Sequence, residues 1–154
     1  MTSSVALLFV IVCVGTIAAS AGSEYMDGLI SLVADNEAKA ELTAAKNDIT
    51  MPKRDRNVLI LNVMMNQPSH VKDTFFLQLL SEQSKQAIKT QLASSQLKEV
   101  EPEVREAYLK IEDLKLDMSI SDYQQEQEEK YVRNSLTKRQ RQILDTMGTS
   151  DFEA

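Results

Sequence analysis

Cysteine is almost missing from this 154-residue chain, and so are several other chemically telling residues. Cys13 stands alone, inside an N-terminal apolar run. If that run is removed on export, the remainder carries no thiol. Disulfide scaffolds, thiolate metal sites and cysteine nucleophiles are then excluded, and packing alone must hold the fold. There is no tryptophan and a single histidine, His70. One histidine cannot build a multi-histidine zinc site. Its neighbour Ser69 does not make it a catalytic pair, because residues adjacent in sequence point apart. With only four glycines and three prolines, no Gly-rich phosphate loop and no nucleophile elbow can be read. No Asn-x-Ser/Thr acceptor for N-glycosylation occurs. Positive charge is also in deficit. Seventeen Lys and Arg face 23 Asp and Glu, a net charge of −6. An acidic surface repels phosphate backbones and anionic lipid heads, so nucleic acid is not an expected partner.

What is present begins with export. Val5 to Val14 is an unbroken apolar block, followed by Gly15-Thr16-Ile17-Ala18-Ala19-Ser20-Ala21. A charge-poor start, a short apolar block and small residues at Ala19 and Ala21 form a secretory signal peptide. Cleavage is expected between Ala21 and Gly22, which leaves one domain from 22 to 154. The block is too short for a comfortable membrane span and lacks a basic stop-transfer flank. A secreted, extracellular protein without stable membrane insertion is therefore expected.

The scarcity of breakers, with abundant Ala, Leu, Gln, Glu and Lys, predicts an all-α fold, a small bundle of about five to seven helices. The first candidates fall between Glu24 and Lys46, broken near Asp35-Asn36, with Asp35 as cap of the second. Pro52 to Met65 is nearly apolar all round over Val58, Leu59, Leu61, Val63 and Met64, which predicts a central buried helix. A short strand over Val58–Met64 is the competing reading. Ser69 is placed as the cap of a helix bearing Val71, Phe75, Phe76, Leu79 and Leu80. A separate helix follows over Glu82–Gln96, with a thin Ala87/Ile88/Leu92 stripe. From Pro102, the residues Val104, Ala107/Tyr108, Ile111, Leu114 and Met118 recur at spacings of three and four, marking one helical face. Ser121 and Gln124 form a capping box. The last helix runs towards Met147, with Gly148 as its stop and a break near Asn134-Ser135 as an alternative. Residues 151–154 form a tail.

Two groups of residues invite a functional reading. Leu61, Met64, Met65, Phe75, Phe76 and Leu79 place soft Met and flat Phe side chains on adjacent helices. Such side chains can line an adaptable pocket for a lipid or other apolar ligand, or fill an ordinary core. The second group is the charged run from Asp122 to Arg141. Acids come first and bases last, which suits the macrodipole of one helix, with Glu126–Lys130 and Glu129–Arg133 as i,i+4 pairs. It can also serve as a docking surface for an extracellular protein. Lys138-Arg139 lacks the repeated sites of a hormone precursor. A calcium loop from Asp117 fails, because Asp122 stands where the turn needs Gly. No metal site, cofactor site or catalytic set is expected.

Glu103-Val104-Arg105-Glu106-Ala107-Tyr108-Leu109-Lys110-Ile111 resembles a Glu-x-Arg-x-Ala-aromatic helix of the nematode secreted SXP/RAL family. Leu136-Thr137-Lys138-Arg139-Gln140 is similar to a later helix start of that family. The resemblance spans about residues 100–145, while the family's Trp-bearing segment has no counterpart here. It implies a small, secreted, cysteine-poor helical protein, with divalent cations or apolar ligands suggested for some members. No binding residue carries over. The expectation is thus a non-enzymatic secreted binding protein, with an interaction protein acting through the C-terminal helices as the alternative.

Overall fold

The computed structural model describes residues 23–147. They form seven α-helices: α1 Ser23–Leu32, α2 Asn36–Asn47, α3 Lys53–Met65, α4 Ser69–Gln96, α5 Pro102–Leu116, α6 Asp122–Asn134 and α7 Lys138–Thr146. The expected all-α bundle is what the chain forms. The signal-cleavage residues Ala19, Ala21 and Gly22, the stop Gly148 and the tail lie outside the described residues. Among the described residues no helix is long and apolar enough to cross a membrane.

Local chemistry sets most boundaries. The Asp35 carboxylate accepts from the backbone N–H of Glu37 (3.2 Å) and Ala38 (3.4 Å), capping α2. Ser121 and Gln124 close the expected box at the start of α6. Thr137 and Gln140 close a second box at the start of α7. The charged run is therefore two helices, broken at Ser135-Leu136. Lys138 and Arg139 fall in the first turn of α7 rather than near the end of one long helix. There the helix dipole disfavours cations. Arg133 pairs across the break with Asp145, and Glu129 accepts from Gln125 Nε2. The Glu129–Arg133 pairing read from spacing is displaced by these partners.

Two further expectations are corrected. Ser69 is not a cap: Pro68 holds that place, without a side-chain bond, and Ser69 is already helical. The two helices read over 69–96 are one helix of 28 residues. The helix runs through Ser84, whose Oγ donates back to Leu80 O (2.9 Å). The strand alternative over Val58–Met64 gives way to α3.

Two separate cores form. The first gathers Met26 and Leu29 of α1, Val33 just after it, Leu42 of α2, Ile60 of α3, and Phe75 and Leu79 of α4. Burying each such side chain contributes about 1.5–3 kcal/mol. A Cβ at Gly28 of α1 would sit 2.6 Å from Oε1 of Gln78 on α4, so a side chain there would displace the Gln78 amide. The second core gathers Val104, Ala107 and Ile111 of α5, Val132 of α6, Leu136 of the turn between α6 and α7, and Leu144 of α7. Between them runs the middle of α4, which has no buried position from Leu80 to Leu92.

Candidate functional site: an apolar flank and a buried polar node

The apolar residues singled out from the sequence divide by depth. Phe75 and Leu79 are 2% and 3% exposed and belong to the first core, where the Phe75 ring lies 6.4 Å from that of Tyr25. Leu61 and Met64 are partly buried against the same core. Phe76 is also partly buried, while Met65 is 58% exposed. Leu77 and Leu80 of α4 are likewise exposed, at 66% and 37%. The Lys72 ammonium donates to Met65 O (2.9 Å), which ties the end of α3 to the turn of α4 just before Phe76. The six residues therefore do not form one lining. Two are core, Leu61 and Met64 pack against it from α3, and Phe76 and Met65 lie outside it.

The expectation that α3 is buried all round is overturned at its surface and at its start. Val58 is 51% exposed, whereas Lys53, Arg56 and Asn57 are buried. Val63 is buried as the apolar run implies, but apolar content alone missed the buried polar start of this helix. The first turn of α3 is buried because it meets the loop that joins α5 to α6. Lys53 N donates to Ile120 O (3.1 Å) and Arg54 N to Met118 O (2.9 Å). These carbonyls satisfy helix N–H groups that have no side-chain cap. Tyr123 N donates in return to Ile49 O (2.9 Å), and Pro52 and Ser121 form an isolated antiparallel bridge.

The Lys53 side chain completes the exchange. Its ammonium donates to Leu114 O (2.9 Å), Lys115 O (3.1 Å) and Asp117 O (3.3 Å), capping the C-terminus of α5. A cation is favoured at that negative helix end. Burial pushes the Lys53 ammonium below its ordinary pKa, and Asp122 and Asp117 oppose the shift. Arg56 donates to Asp122 Oδ2 (2.7 Å) and to Asp48 O (3.2 Å). Arg56 Nε and Asn57 Nδ2 are buried without a hydrogen-bond partner. Each such unmet group costs about 1–3 kcal/mol. Tyr25 packs near this node, and burial raises its phenol to about 12, with Arg56 opposing.

Both loops repeat one turn. Asp48 Oδ1 accepts from Thr50 N (2.9 Å) and Thr50 Oγ1 (2.6 Å). Asp117 Oδ1 accepts from Ser119 N (2.9 Å) and Ser119 Oγ (2.6 Å). These bonds hold both carboxyls below the usual carboxylate range. Asp117, Ser119 and Ser121 thus serve turn and cap. Among the described residues no group of three or more His, Cys, Asp or Glu could hold a metal ion. His70 is exposed at the start of α4.

The polar node escaped sequence reasoning because its signal is not local. No local pattern marks Lys53, Arg56 and Asn57 for burial, and the partners of the Lys53 ammonium and of the Arg56 ion pair lie more than sixty residues away. Comparison with family models, curated proteins and solved structures gives no significant match.

Proposed function

We propose that the protein is a secreted, non-enzymatic helical binding protein that holds a lipid or other apolar ligand against the outer side of α3 and α4. The observation that carries this reading is the exposure of Met65, Leu77 and Leu80 on α3 and α4, helices that also carry partly buried Phe76, Leu61 and Met64. Exposed large apolar side chains on consecutive helices are what a ligand of that chemistry would cover. The test is native mass spectrometry of protein recovered from culture medium, set against the denatured mass. A co-purifying mass lost on denaturation, and lost from folded Phe76→Asp and Leu80→Asp variants, is the expected result. Ligand uptake unchanged in both folded variants would refute this reading.

A second reading rests on a different observation. Tyr131 is 71% exposed, with the Lys110 ammonium 5.9 Å from its ring centre. Lys138 and Arg139 are exposed at the start of α7. An extracellular protein with an acidic surface would relieve the cations of the unfavourable helix dipole. Pull-down from extracellular fluid would then be lost in a Tyr131→Ala/Lys138→Glu/Arg139→Glu variant. Retention of every partner by that variant counts against it.

A further inference from the structure

We infer that the Lys53–Arg56 node is a polar latch between two independently cored halves, and that the halves part there while each keeps its core. Three observations carry this. The first core draws on α1 to α4 and the second on α5 to α7, with no residue in common. The helix pairs with substantial packing, α1 with α2 and α4, α2 with α3, and α5 with α6 and α7, all lie within one half. What crosses between the halves at the node is polar: the ammonium of Lys53 on three carbonyls, Arg56 on Asp122, and the paired loops around Pro52 and Ser121.

Contacts of this kind exchange readily for water, because every donor and acceptor regains a partner when the surfaces separate. Apolar cores do not. The weakest plane of the molecule is therefore the latch, and sub-global opening follows the weakest plane. The covalent link is α4, whose Leu80–Leu92 stretch has no buried position and so loses no core contact when the halves move. Asp122 adds a point of control, since its side chain is 43% exposed while that of its partner Arg56 is 6% exposed. Solvent ions reach the carboxylate first.

The test uses the full chain carrying Cys13→Ser, with spin labels at exposed Thr43 and Gln127, one in each half. A second labelled pair at Glu106 and Gln127 lies within one half as a control. Lys53→Met is expected at least to double the width of the Thr43–Gln127 distance distribution and leave the control pair unchanged. Amide exchange at Leu42 and Ile111 should stay slow. Asp122→Asn, at the exposed end of the ion pair, should widen it less and decides the matter if Lys53→Met fails to fold. Unchanged distances in the folded variants would overturn the inference. So would loss of exchange protection in both cores in step with the widening, which would make the molecule one cooperative unit.

Discussion

Leu77 and Leu79 sit two residues apart on α4 and carry the same side chain, yet truncating them should have very different consequences. Leu79 is 3% exposed within the first core, and Leu77 is 66% exposed. Leu→Ala removes three carbon groups, worth about 2.4 kcal/mol at about 0.8 kcal/mol each when fully buried. At Leu79 nearly all of that is lost, and the residual cavity brings the total to about 3–4 kcal/mol. At Leu77 about a third of the side chain is buried, so roughly 0.8 kcal/mol is lost. The better helix propensity of Ala offsets only a small part of this. Urea unfolding followed by far-ultraviolet circular dichroism measures both. A midpoint shift several times larger for Leu79→Ala, with unchanged slope, is expected. Equal losses would refute the assignment of Leu79 to the core and of Leu77 to the exposed surface. That division underlies the proposed ligand surface.

Other expectations follow from caps and titrating groups. Ser121→Ala and Thr137→Ala each remove a capping-box hydroxyl and should cost about 1 kcal/mol in the same urea experiment. Asp48 and Asp117 have folded pKa values below the ordinary 3.8. Their contribution is therefore complete above about pH 4 and is lost as pH falls through the folded values. A profile of Tm against pH should lose part of its acid limb in Asp48→Asn/Asp117→Asn, and an unaltered limb would count against the paired turns. The Tyr25 phenol, raised to about 12, keeps its proton when folded. Its contribution is complete below the unfolded value near 10 and is lost as pH rises through 12. Burial also raises Tyr108, so ultraviolet titration should show Tyr25 as the last of the four tyrosines to ionise, and Tyr25→Phe should remove that last step.

The helices themselves were legible in the residues. Scarce Gly and Pro, the Asp35 cap, the Ser121–Gln124 box and the Val104/Ala107/Ile111 spacing act within one or two turns, so they can be read without knowing the fold. The Thr137–Gln140 box was equally local. It marks the break that sends Lys138 and Arg139 to the start of a new helix. Tertiary structure decided which apolar residues were used and which were left outside. Phe75 and Phe76 are alike in sequence terms, but one faces α1 and the other does not. It also decided that Lys53 and Arg56 are buried. Charge is hidden only where distant carbonyls and a carboxylate replace water, and no periodicity in α3 can report the arrival of a loop more than sixty residues further along.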